Sequence, residues 1–289
     1  MQGPLRKMRT QLGQPVQYEL VLGDQIMPLN ECLGKPIKLQ HTGKIFCVHC
    51  GRATKKSFNQ GYCYPCFSSL AQCDLCILKP ETCHYATGTC REPVWGETFC
   101  MQPHYVYLAN SSGIKVGITR QNQIPTRWID QGAVQALPIF KAQSRHVSGL
   151  IEVVIAQHIS DKTSWQQMLK NNVVDIDLAA KRDELMEACY AELADITKQF
   201  GSQAVEPLPH ERAVELLYPV NRFPDKVKSF NLDTKTEVSG ILEGIKGQYL
   251  LLDTGVINLR KYSGYELTFY LPDKADELLV ETCLILPEG

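Results

Sequence analysis

No uninterrupted apolar run in this 289-residue chain approaches the roughly 18 residues that a membrane-spanning helix needs. The opening residues, MQGPLRKMRTQLGQP, lack the apolar core of a signal peptide. These two absences lead us to expect a cytoplasmic protein that makes no membrane contact. An excess of charge is missing too. Lys and Arg number 30 against 31 Asp and Glu, a net charge of -1, so the chain as a whole exerts no pull on nucleic acid. Cysteine, in contrast, is abundant: 12 residues, most of them between Cys32 and Cys100 and several in Cys-x-x-Cys pairs. In a reducing compartment that arrangement points to metal and away from disulfides.

The balanced total hides an asymmetry. Residues 1–70 carry nine Lys or Arg against three Asp or Glu, and residues 101–150 carry five against one, whereas residues 151–216 carry six against twelve. The first half of the chain can therefore present a locally basic face, although runs of charge are more often plain solvated surface. With 44% hydrophobic residues the chain can bury a real core and divides into two to four modules. We expect an α+β protein with four parts: an N-terminal β-segment (1–45), a cysteine-rich zinc-binding module (46–103), an αβ domain with a helical extension (104–209) and a C-terminal β-module (210–289).

The cysteines carry the sharpest signal. Cys47-Val48-His49-Cys50 and Cys63-Tyr64-Pro65-Cys66 are two knuckles joined by a segment long enough to fold back as a hairpin. Each knuckle turns two thiolates toward one ion, so the pair predicts a zinc ribbon with a closed four-sulfur structural site. Gly51 suits the tight turn after the first knuckle. A second set follows: Cys73, Cys76, Cys83 and Cys90, with Cys100 and His104 as near-equal substitutes for one of them. This supports a second structural zinc, with an iron–sulfur cluster as the rival. Cys32 lies outside the pair spacings and reads as a small buried residue. Trp95, between ligands, either caps the module against its neighbour or offers a contact to a protein or RNA partner.

Elsewhere the pattern is ordinary. Tyr18 to Phe46 alternates apolar and polar residues between turns, a small β-meander, and Gln248 to Gly264 echoes it. The echo leaves three readings open: a duplicated unit, two halves of one barrel, or two meanders that merely look alike. His104 to Ala133 reads as a strand to Asn110, a Ser111-Ser112-Gly113 turn, a strand Ile114 to Thr119 and a short helix from about Thr126. A third strand follows at Pro138 to Ala142, then an apolar helix at Ser148 to Ile159 interrupted by Glu152. Burying that glutamate is costly unless it is paired, with Arg127 or Arg145 for example, or bound to a cation. A short helix near Trp165, one long helix from Leu178 to Phe200, another at about His210 to Leu217, and a final β-module with Cys283 buried in a strand complete the expectation.

Two resemblances add to these readings. The run through Cys73-Asp74-Leu75-Cys76, Gly88-Thr89-Cys90-Arg91-Glu92-Pro93, Trp95-Gly96-Glu97 and Arg127-Trp128-Ile129-Asp130-Gln131-Gly132-Ala133 is similar to an uncharacterised bacterial family, domain of unknown function 2797. The hairpin and helix of residues 104–172 resemble the core of the GIY-YIG nucleases. That resemblance implies that Tyr107 holds the first motif's tyrosine, Lys115-Val116-Gly117 the second motif, Arg127 the catalytic arginine and Glu152 the metal-holding glutamate. An active site of this kind would place Mg or Mn on Glu152, phosphorane charge on Arg127, and the nucleophile or its water on Tyr107. Lys115 stands where the second tyrosine belongs, and an ammonium holds phosphate better than it takes protons. The substitution favours binding nucleic acid, through Lys115, Arg120 and Arg127, over cutting it. A protein-interaction adaptor with structural zinc alone is the remaining alternative.

Overall fold

The computed structural model describes residues 1–159 and 163–271, so Cys283 lies outside the described residues. The architecture is α+β. Among the described residues there are three sheets, antiparallel throughout; the helix Arg145–Ala156 packs on the central one, and Trp165–Leu169 packs on the sheet made by the two ends of the chain.

The middle of the chain builds a five-stranded sheet. Val214–Glu215, Gln135–Ala142, His104–Asn110 and Ile114–Arg120 lie side by side in that order, and Val205–Pro207 also pairs with Gln135–Ala142. Side chains alternate across a strand, so neighbours in sequence enter different cores. Val106, Leu108, Leu137 and Ile139 meet the helix Arg145–Ala156 through Val147, Ile151 and Ile155, and beyond it Leu185, Leu193 and Ile196. Tyr107, Ala109 and Ala136 face the other way, onto Trp128 and the β-rich ends of the chain.

Those two ends share one sheet. Its order is Gln2–Pro4, Tyr265–Tyr270, Pro36–Ile45, Glu237–Lys246, Tyr249–Leu252 and Gly255–Asn258. Of the readings of the sequence echo, the structure supports duplication. Leu20, Leu22, Leu29, Gly34, Ile37 and Leu39 return at the same spacing as Leu250, Leu252, Leu259, Gly264, Leu267 and Phe269. In each copy a hairpin leads to a 3-10 turn, a glycine with φ of +75° or +88°, and a long strand. The hairpins have equivalent registers, Leu20 opposite Met27 and Leu250 opposite Ile257. The two long strands meet edge to edge with Leu39 directly opposite Phe269, flanked by Gln40–Thr268 and Lys38–Tyr270. The apolar positions of both copies fill one common core, which is why neither half has to bury its face alone.

Three helix expectations are corrected. The long helix breaks at Cys189 (φ -99°, ψ 10°) into Leu178–Ala188 and Tyr190–Phe200, with Cys189 and Leu193, four apart, still on one core-facing side. Residues 210–217 contain no helix, because Val214–Glu215 extends the central sheet and the Leu216 amide donates to the Val134 carbonyl. The Glu152 helix starts earlier than its apolar run, at Arg145, because the Ser144 hydroxyl caps the Val147 amide.

Candidate metal centre and basic face

Cys47, Cys50, Cys63 and Cys66 form a cluster whose sulfurs all lie within 4.8 Å of one another. Cys50 and Cys63 Sγ are 3.7 Å apart, and a tetrahedron with Zn–S bonds of about 2.3 Å has edges of about 3.8 Å. The donor set and the spacing both fit zinc. Local backbone makes the first knuckle: the Gly51 amide donates to the Cys47 carbonyl at 2.9 Å, and Gly51 sits at φ +73°, a conformation that glycine adopts without strain. Pro65 near the start of the helix Tyr64–Ser69 fixes the second. Burial works against ionising Cys47, yet the amides of Cys50, Cys63 and His49 together outweigh it and bring the thiol down to about 6. Cys66 goes the other way, pushed up to about 12 by burial and by the surrounding thiols of Cys63, Cys50 and Cys47, so the four sulfurs do not favour thiolate alike.

The second set of thiols divides differently. Cys73 is buried beside Asn59, with Arg91 and Cys47 as its charged neighbours. Cys76, Cys83, Cys90 and Cys100 instead line one small cavity with His84, Tyr85 and Trp95. His104 is fully buried and does not line it; burial brings its imidazole down to about 4, and the charges that reach it are Arg145 and Arg120. On the cavity rim, Asp74, Cys76 and His84 bring ligand atoms within 4.8 Å. There Asp74 accepts from Arg91 Nε at 2.7 Å and lies 3.5 Å from His84 Nε2. Trp95 closes the cavity and stacks on Phe99 at 4.1 Å, and the Arg120 guanidinium lies 3.7 Å from the Phe99 ring centre.

The remaining candidate residues gather where the sheet, the short helix Thr126–Asp130 and the helix Arg145–Ala156 approach one another. Arg127 is exposed while its neighbours Trp128 and Ile129 are buried. Both ends of the chain pin this five-residue helix and the turn after it. Lys7 forms an ion pair with Asp130, Gln248 Nε2 donates to Asp130 Oδ1 at 2.8 Å, and the Tyr218 hydroxyl donates to the Ala133 carbonyl at 2.7 Å. Tyr107 is fully buried, its hydroxyl donating to Gln131 Oε1 at 3.0 Å. The ring lies over Gly117, directly across the ladder, where a Cβ would sit 2.7 Å from the tyrosine oxygen. Burial raises the Tyr107 phenol, with Arg127 and Glu152 the charged groups within reach.

Glu152 is half-buried, and no ion pair closes on it among the described residues. Burial carries its carboxyl up to about 7 against the pull of Arg145 and Arg127, with Glu81 adding to the rise. The folded state therefore binds this proton more tightly than the unfolded state. The stability it contributes is present below the ordinary glutamate range and disappears as pH rises through about 7. Without divalent cations, Glu152→Gln should match the wild type near pH 4 and exceed it by roughly 2 kcal/mol at pH 8. Urea denaturation at the two pH values measures this; a constant difference would refute it.

Lys115, on the outer strand, is half-buried and faces Ala109 across the ladder. Tyr107, Arg127 and Glu152 are thus brought within electrostatic reach of one another, and Arg120 reaches the same neighbourhood through Arg145. Arg145 and Glu81 play a larger part than their sequence context suggests. Arg145 Nη2 donates to the Ile77 carbonyl at 2.5 Å, a contact across distant parts of the chain that no local pattern encodes.

Fold and cysteine cluster together define a mixed α+β protein with a module compatible with a zinc ribbon. Residues 34–267 match the model of a family described as a protein of unknown function, DUF2797, and the chain belongs to that family. No curated protein and no solved structure matches the chain. No helix among the described residues is long and apolar enough to cross a membrane.

Proposed function

We propose that this protein binds nucleic acid through a basic face centred on Arg127, with zinc in the Cys47–Cys66 cluster as a structural element. Lys115 and Arg120, five positions apart on one strand, leave opposite sides of the sheet and do not both join that face. One observation carries the reading: Arg127 stands exposed on a rigidly pinned helix, with Arg145 beside it, in a chain of net charge -1. A locally cationic, preorganised surface of this kind suits phosphodiester oxygens. Tyr107 weighs against cutting. Its hydroxyl is buried, committed to Gln131 and held in the protonated form, so it is poorly placed to activate or supply a nucleophile.

Metal-dependent phosphodiester cleavage is the second reading, favoured by the convergence of Tyr107, Arg127 and Glu152 that the GIY-YIG resemblance leads one to look for. In that case Glu152 would hold Mg or Mn, with Glu81 a further carboxylate within electrostatic reach. Arg127 would neutralise charge on the reacting phosphate.

Binding and cleavage of DNA and RNA, with and without Mg or Mn, test both. Arg127→Ala should weaken binding several-fold and lower the slope of log K against log salt by about one, while Glu152→Ala leaves binding intact. Cation-dependent cleavage lost in both variants would establish the second reading instead. Absence of binding to either nucleic acid would overturn both, leaving a protein-interaction role.

A further inference from the structure

Four thiols outside the ribbon cluster surround a single cavity of about 20 Å³: Cys76, Cys83, Cys90 and Cys100. They come from different pieces of local structure. Cys76 lies in the 3-10 turn Leu75–Ile77, Cys83 follows the turn Pro80–Thr82, Cys90 precedes the helix Pro93–Phe99, and Cys100 closes that helix. Cys100 has Cys83, Cys76 and Cys90 as its thiol neighbours, and Cys76 has Cys83 and Cys90. Gly96 lets the helix approach, since a Cβ there would sit 3.2 Å from Cys90 Sγ and 3.1 Å from the Tyr85 ring. We propose that Cys76, Cys83, Cys90 and Cys100 hold a second zinc ion, and that Cys73 is not one of its ligands.

Two alternatives on the same module are less suited. Asp74, Cys76 and His84 have closer ligand atoms, but they form a charge network of their own. Arg91 holds the Asp74 carboxylate, and His84 Nδ1 bonds Thr89 Oγ1 at 2.8 Å. Cys73 sits beside Asn59 and Arg91, toward the first cluster. No three of the four cavity thiols lie within 4.8 Å of one another, so the ion would draw them inward to tetrahedral distances. Borderline-soft zinc takes a four-thiolate set readily, and such a closed set leaves no position for water.

The second zinc has a mechanical consequence. Cys76 and Cys83 bracket the loop that docks on the helix Arg145–Ala156. Within that loop the Ile77 carbonyl accepts from Arg145, and Pro80 and Glu81 cover Gly149. An ion held at both ends of the loop fixes its shape and so braces the helix that carries Arg145 and Glu152. This holds whether or not the basic face binds nucleic acid.

Metal content of the full chain by mass spectrometry, with zinc-edge X-ray absorption, tests the assignment. The wild type should carry two zinc ions per chain with four sulfur neighbours on average. Cys76→Ser and Cys100→Ser should each carry one, and Cys73→Ser should keep two. A wild type with a single zinc, a Cys73→Ser chain that loses one, nitrogen in the zinc shell, or iron with sulfide would each overturn the proposal. Should Cys76→Ser or Cys100→Ser fail to fold, the wild-type stoichiometry and absorption spectrum together with Cys73→Ser still decide.

Discussion

Cys63→Ser is expected to abolish the first metal centre and to melt residues 47–70 while leaving the six-stranded sheet folded. Structural zinc sites contribute on the order of 10 kcal/mol to the folding of their modules, and a serine cannot replace a thiolate in a closed four-sulfur set. The knuckle segment has little else to hold it. Its helix Tyr64–Ser69 has no buried residue, and its hydrophobic contribution to the main core is slight. The ties to the β-units are polar: Arg6 Nη1 to the Val48 carbonyl at 2.7 Å, Arg260 Nε to Gln60 Oε1 at 2.9 Å, and the Phe46 amide to the Gly264 carbonyl at 2.7 Å. Each is worth about 1 kcal/mol net, too little to order the segment without metal. Hydrogen exchange should therefore rise across 47–70, by several orders of magnitude in protection factor, and stay unchanged across 237–270. Zinc content should fall by one per chain. Unaltered exchange in the knuckles would mean that metal does not hold them.

Gly149→Ala is expected to have the second large effect, for a steric reason. A Cβ at this position would lie 2.5 Å from Pro80 Cβ, 2.7 Å from the Glu81 amide nitrogen and 2.9 Å from the Pro80 carbonyl carbon. Two of these are backbone atoms and the third belongs to a rigid ring, so no flexible side chain can yield. The loop from Ile77 to Cys83 must lift off the helix, which also lengthens the 2.5 Å bond from Arg145 to Ile77. Alanine is the better helix former by about 1 kcal/mol, yet overpacking against atoms that cannot yield costs about 3 kcal/mol, the upper end of the usual range. The net change should be a loss of roughly 2 kcal/mol in a denaturant titration, together with faster hydrogen exchange at residues 77–83. A stabilised variant would show that the loop does not rest on the helix in solution.

Local chemistry was legible wherever the ligands or contacts are close in sequence. The Cys47–Cys66 knuckles, the Gly51 turn and the strand–turn–strand of residues 104–120 follow from spacing, because a few residues of backbone determine where those side chains point. The hydrophobic echo of the two β-units was visible for the same reason, while their meeting at Leu39 and Phe269 was not. Pairing between strands far apart in sequence depends on which edges the rest of the chain leaves free, and periodicity does not encode that.

The second group of thiols makes the same point more sharply. Spacing favoured Cys73 as the partner of Cys76, yet Cys73 turns toward Asn59 and Arg91, and Cys100, distant in sequence, enters the cavity instead. The helix Pro93–Phe99 brings it back, something no Cys-x-x-Cys count contains. Tyr107 is a further case. Its place in the first strand of the hairpin could be read from sequence, but its burial is tertiary: the outer β-units cover that face of the central sheet with Trp128 between them.

The sequence by itself determined the α+β class, a first four-cysteine cluster able to hold zinc and the basic character of the front half, because composition and short-range spacing suffice for each. Only the tertiary structure decided that the two ends of the chain share a sheet, that this assembly pins the Arg127 helix, and that the cysteine-rich loop seats against Gly149 beside Glu152. Those relations join residues up to hundreds of positions apart, and they exist only once burial of the common core has closed the chain on itself.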